Sequence, residues 1–124
     1  MCKSRVLIAE DEANIVESLS YILRRANIDV DTASNGADAL DRLRRFKFSA
    51  LILDVMMPGM NGFDVLRAVR ADPALVSLPV MVLTAKGQAR DRRVAEEIGA
   101  NAFITKPFSN AEVVESVRRL IGHD

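Results

Sequence analysis

At 124 residues and 13.6 kDa the chain has the size of one domain, and 49% hydrophobic residues argue for a globular fold rather than disorder. Its 17 Lys and Arg balance 17 Asp and Glu, which argues against a protein that binds nucleic acid by displacing phosphate counterions and against a polybasic membrane-surface protein. Cys2 is the single cysteine, so an intramolecular disulfide and a multi-cysteine metal site are excluded, and no apolar run approaches the ~20 residues that span a bilayer.

The predicted elements alternate in type along the chain. VLIA at 6–9 reads as a first strand, too short for a secretory segment, and Ile15, Val16, Leu19, Ile22, Leu23 and Ala26 form the apolar stripe of a first helix. IDVDTA at 28–33 alternates polar and apolar, which suits an edge strand with one wet face. Asn35-Gly36 opens a second helix marked by Leu40 and Leu43. ALIL at 50–53, wholly apolar, reads as a central strand, and Asn61-Gly62 opens a third helix with Phe63, Leu66 and Val69 facing inward. VMVL at 80–83 is a fourth strand, and Val94, Ala95 and Ile98 mark a shorter fourth helix that Gly99 ends. AFIT at 102–105 is a fifth strand; Ser109 caps a fifth helix whose stripe is Val113, Val114, Val117, Leu120 and Ile121. Five strand–helix repeats predict an α/β fold, a parallel sheet with helices on both faces. No linker, internal repeat or low-complexity segment interrupts it, so residues 1–124 are expected to form one domain in a reducing, cytoplasmic setting.

The chemistry lies in the residues at the end of each strand. VLIA runs into Glu10-Asp11, ALIL into Asp54, VMVL into Thr84, and AFIT into Lys106-Pro107. In an open parallel sheet these positions share the carboxyl edge, where ligands bind at the point at which the winding reverses. Clustered carboxylates repel unless protonated or bridged by a cation, and carboxylates with waters suit Mg²⁺. A carboxylate can also attack phosphorus to give an aspartyl-phosphate, with Lys106 pairing the phosphoryl charge and Thr84 donating a hydrogen bond. Asp54 is the best nucleophile because it ends the most hydrophobic run. Taken singly, each residue has an ordinary reading. Asp11 alone is more often a cap or a solvated turn, Asp54 turn chemistry, Thr84 structural, Lys106 solvated and Phe103 core; Met56, Met57 and Met60 suit loop packing, and His123 a frayed surface. Their convergence on one edge favours the functional reading.

The pieces LIAEDE at 7–12, LILDVMMPGMNGFD at 51–64, VLTAK at 82–86 and GANAFITKPF at 99–108 have the order and spacing of bacterial response regulator receiver domains, the family that includes the chemotaxis receivers, and the chain resembles that family over essentially its whole length. The resemblance implies a five-stranded parallel sheet in the order 2-1-3-4-5. It implies that Asp54 accepts the phosphoryl group of a histidine kinase or histidine phosphotransfer protein. Asp11 and Asp54 would hold Mg²⁺ (or Mn²⁺) with the backbone carbonyl of Met56, Glu10 contributing directly or through water. Lys106 matches the phosphate-pairing lysine, Thr84 the switch hydroxyl and Phe103 the switch aromatic, and the Lys106-Pro107 bond is expected to be cis. On phosphorylation Thr84 would move toward the new oxygens and Phe103 turn into the space it leaves, altering the surface of the last two helices and the strand between them, where a downstream protein would bind.

Met56 and Lys86 occupy the two positions whose side chains tune dephosphorylation in the family, and an apolar Met56 implies slow hydrolysis. Arg90, Arg92 and Arg93, at the start of the fourth helix, read first as a solvated charge run and second as a docking patch. A chain that starts at Met1 and ends shortly after its fifth helix is expected to be a stand-alone switch, touching neither nucleic acid nor membrane and turning over no separate substrate. The alternatives are the same module excised from a longer regulator or hybrid kinase, and a haloacid-dehalogenase-type phosphatase. Met56 stands where such a phosphatase carries its second aspartate, which disfavours the last.

Overall fold

The structure, a computed structural model, describes residues 4–57, 59–85 and 89–122; Cys2, Lys86 and His123 lie outside the described residues. Ten elements alternate as β1 (Arg5–Ala9), α1 (Ala13–Arg25), β2 (Asp29–Ala33), α2 (Gly36–Arg45), β3 (Ala50–Asp54), α3 (Gly62–Ala71), β4 (Val80–Ala85), α4 (Ala89–Ile98), β5 (Ala102–Lys106) and α5 (Asn110–Leu120). All strand pairs are parallel, in the order β2-β1-β3-β4-β5, as the family resemblance implied. The winding therefore reverses between β1 and β3. The alternating β2 lies at an edge with its first residue exposed, whereas every residue of β3 is buried.

Strand alternation sorts the core into two layers. Leu7, Leu51, Leu53 and Val82 face α2, α3 and α4, meeting Leu40, Leu66 and Ala95 among others. Ile8, Ile52, Leu83 and Ile104 face α1 and α5, meeting Leu19, Leu23, Val113 and Val117. The three predicted capping residues each cap their helix: Asn35 accepts from the Asp38 N–H at 2.8 Å, Asn61 from the Asp64 N–H at 3.1 Å, and Ser109 forms a reciprocal capping box with Glu112. Gly99, at φ +127°, supplies the left-handed backbone that ends α4. The Lys106-Pro107 bond is cis.

At the amino end of the sheet Arg70, near the end of α3, joins three segments. Its Nε and Nη2 donate to the Gly99 carbonyl at 2.9 and 2.7 Å, Nη1 to the Leu78 and Val76 carbonyls at 2.8 and 3.1 Å, and Nη2 to Asn101 Oδ1 at 2.8 Å. Asn101 Oδ1 also accepts the Val80 N–H at 2.8 Å, tying the starts of β4 and β5 together. No helix among the described residues is long and apolar enough to cross a membrane.

Candidate functional site

The carboxyl edge gathers the residues that end the strands. Glu10 comes directly after β1, Asp54 ends β3, Thr84 lies near the end of β4 and Lys106 ends β5. Counted by twos along their strands, Glu10, Asp54 and Lys106 have the parity of the α1/α5 layer, and Thr84 that of the other layer. The three charged groups thus converge from one side, although β4 separates β3 from β5. The β1–β2 ladder extends to the Glu10 N–H, which donates to the Ala33 carbonyl at 3.0 Å and sets where the side chain starts.

Geometry confirms the convergence. Lys106 Nζ lies 3.1 Å from Glu10 Oε1 and 3.6 Å from Asp54 Oδ1. Glu10 and Asp54 are buried at 2% and 3% exposure. Glu10 Oε2 accepts the Glu12 N–H at 3.2 Å, and Asp54 Oδ1 the Met56 N–H at 3.1 Å. Asp11 is exposed, yet Glu10, Asp11 and Asp54 each offer a carboxylate oxygen within 4.8 Å of the others. Among the described residues, one ammonium thus pairs with two of these three carboxylates.

Electrostatics reflect this imbalance. The Glu10 pKa is pushed up to about 7, first by burial and then by the neighbouring Asp54 carboxyl; the Glu12 N–H and Lys106 pull the other way. Glu10 Oε1 is buried and ion-paired with the Lys106 ammonium at 3.1 Å, but no donor meets it in full hydrogen-bonding geometry. A buried carboxylate oxygen left in this way, in an all-oxygen donor set, fits a hard divalent cation. The acidic cluster can therefore hold a metal ion.

The backbone under Asp54 is held by close packing. The first residue of α3, Gly62, sits so near that a Cβ there would meet the Asp54 carbonyl oxygen at 2.5 Å and the Val55 Cα at 2.6 Å. Glycine is required by this approach, and the Gly62 N–H donates to the Val55 carbonyl at 3.2 Å. Met56, in the loop between them, is exposed.

Thr84 is buried and pairs in register with Thr105, and Phe103 pairs with Val82. Phe103 is half-buried against the α2–α4 layer, and the Arg92 guanidinium of α4 covers its ring, 4.8 Å from the centroid. Sequence reasoning grouped Arg92 with Arg90 and Arg93 as a solvated run. Helical spacing carried the missed signal, since Arg92 stands three residues before Ala95, the one buried residue of α4 among those described. Arg70 was also missed, because its acceptors are backbone carbonyls without a sequence signature.

Comparison with known proteins gives a consistent picture. The family model described as "Response regulator receiver domain" matches residues 6–118. The chain is 36% identical over 118 residues to the transcriptional regulatory protein CpxR homolog of Haemophilus influenzae, covering 95% of this chain and 50% of that one. It is 38% identical over 116 residues to the DNA-binding response regulator MtrA of Mycobacterium tuberculosis, covering 94% and 50%. The chain thus spans about half the length of these curated relatives. Among solved structures, the receiver domain of a signal transduction histidine kinase from Syntrophus aciditrophicus superposes with a TM-score of 0.89 at 33% identity, covering 96% of this chain and 90% of that one. A chain from Chloroflexus aurantiacus assigned as a response regulator gives 0.95 at 33% identity, covering 98% and 100%.

Proposed function

Because the chain belongs to the response regulator receiver-domain family, we propose that it is a phosphorylation switch whose acceptor is Asp54. Receiver domains of this family are signalling domains of two-component systems. The finer reading rests on one observation: Asp54 is buried beside Lys106 and the buried Glu10 carboxylate, in a cluster of three acidic groups able to take a cation. Asp11, Asp54 and the Met56 carbonyl would hold Mg²⁺, or Mn²⁺ in its place, and Glu10 would join directly or through water. When bound, that ion neutralises phosphoryl oxygens during transfer.

The protein's own groups do the rest. An Asp54 carboxylate oxygen forms the bond to phosphorus as the P–N bond of a phosphohistidine donor breaks, the electron pair staying with the imidazole nitrogen. Lys106, already 3.6 Å from Asp54, pairs with the phosphoryl charge in place of the acceptor's own. Thr84 then hydrogen-bonds a phosphoryl oxygen and Phe103 turns toward the space it leaves, changing the face formed by α4, β5 and α5. The donor is a histidine kinase or histidine phosphotransfer protein, and the output is a protein bound at that face, in the cytoplasm. Residues 1–124 act as one receiver domain and turn over no separate substrate.

A second reading concerns context rather than chemistry. The chain spans half of relatives that include a DNA-binding response regulator, which supports the domain's belonging to a longer regulator with nucleic-acid contact made elsewhere in that protein. The test of the main reading is incubation with a small phosphodonor and Mg²⁺. A gain of one phosphoryl group, stable in acid, labile in base and abolished in Asp54→Ala, is expected. Sustained phosphate release from unrelated phosphomonoesters would instead make the protein a phosphatase.

A further inference from the structure

Of the cation–ring contacts in the molecule, that of Arg92 with Phe103 is the shortest among the described residues, 4.8 Å against 5.7 Å for Arg25 with Tyr21 and 5.9 Å for Arg5 with Phe48. It also joins two different elements, α4 and β5, whereas the Arg25–Tyr21 contact lies within one helix turn. Arg42, Arg44, Arg45, Arg67 and Arg119 each engage a carboxylate. Arg92 makes no ion pair among the described residues, although Glu96 stands four residues along the same helix, where such pairs commonly form. The guanidinium lies over the ring instead.

The ring it covers is the one placed to respond to the site. Phe103 and Thr84 lie on the same face of the sheet, with Val82 opposite Phe103 and Thr105 opposite Thr84. The ring packs inward on the α2–α4 layer and is covered from the α4 side by Arg92. A displacement along the strand toward Thr84 by one step, roughly 3 Å, lengthens this contact toward the ~6 Å at which a ring ceases to hold a cation. The contact seen here is therefore weakened when Phe103 turns toward Thr84.

We infer that Arg92 is a positioning residue: its guanidinium holds Phe103 in the resting arrangement and so sets how readily the phosphorylated state forms. The inference rests on the reading of Asp54 as acceptor with Thr84 and Phe103 as its switch pair. The hold biases one of two states, and any change in its strength appears as a change in affinity for a phosphoryl-like ligand at Asp54.

The experiment titrates beryllofluoride, a phosphoryl analogue, in saturating Mg²⁺ against wild type, Arg92→Ala, Arg92→Lys, Phe103→Leu and the double variant Arg92→Ala/Phe103→Leu, with binding read by ¹⁹F NMR. Arg92→Ala is expected to bind about two- to fivefold more tightly, matching the worth of an exposed cation–ring contact. Arg92→Lys, which keeps a cation, should fall between wild type and Arg92→Ala. In the Phe103→Leu background the Arg92→Ala change should have no effect. Unchanged affinity in Arg92→Ala, or the same gain without the ring, overturns the hold while leaving the acceptor reading intact. Binding that survives Asp54→Ala overturns the acceptor reading, and the inference with it.

Discussion

The two ends of the sheet treat charge in opposite ways. At the amino end the Arg70 guanidinium spends its donors on three carbonyls and one amide oxygen, all between 2.7 and 3.1 Å. Burial lowers its pKa, yet the geometry of the bonds is complete. At the carboxyl end Glu10 is buried with one oxygen lacking a bonded donor, and its pKa is pushed up to about 7. Evenly spaced parallel strands carry the chain between these ends, so the sheet does not dictate the difference. It comes from which polar groups were placed at each end, and it separates a joint that keeps segments together from an acidic cluster able to hold a cation.

The sharpest way to break this contrast is to disable the amino-end joint. Arg70→Ala strips the Gly99 and Leu78 carbonyls and Asn101 of their donor and should lower unfolding free energy by about 3–4 kcal/mol, read from urea midpoints. Phosphoryl incorporation per folded molecule should stay unchanged; a selective loss of incorporation would show that the two ends are not separate. The carboxyl end should respond with the opposite sign. With the Glu10 pKa raised from 4.5 to about 7, its ionised form is the one the fold resists. The metal-free protein holds this contribution below pH 4.5 and loses it, by about 3 kcal/mol, as pH rises through 7. Denaturation curves across that range should show the decline, Glu10→Gln should flatten it, and Mg²⁺ should oppose it. A metal-free stability that climbs over the same range would refute the assignment. Smallest is Ser109→Ala, which opens the α5 capping box at a cost of about 1 kcal/mol in the same urea assay and should leave phosphorylation untouched.

Much of this was legible in the sequence because it is local. The polar–apolar alternation of β2 marks an edge since only one of its faces is covered, and the unbroken ALIL of β3 marks a centre. Asn35, Asn61 and Ser109 advertise helix starts because a cap is satisfied within three residues. The convergence of Glu10, Asp54 and Lys106 could be inferred from strand ends alone, since topology brings those ends together. What spacing does not encode is which long-range partner a side chain chooses. Lys106 meets Glu10 across most of the chain, Arg70 reaches carbonyls 6 to 29 residues away, and Arg92 lies over a ring on β5. Such choices are made by packing, after the elements have docked.

The close seat of Gly62 has a mechanical consequence. One end of α3 abuts the backbone of Asp54 and Val55, and near its other end Arg70 grips the segments entering β4 and β5. Ten residues of helix, about 15 Å, thus form a strut fixed at both extremities. A strut fixed in this way neither slides nor rotates without breaking one anchorage, whereas α4, with Ala95 its one buried residue among those described, is tied among those residues by the Arg92 contact with Phe103 and by the Arg70 bonds to Gly99 at its end. Strain introduced at the acceptor strand meets a rigid member on one side and a loosely seated one beyond it. Deformation starting at the acceptor strand is then expected to be taken up at α4 rather than at α3.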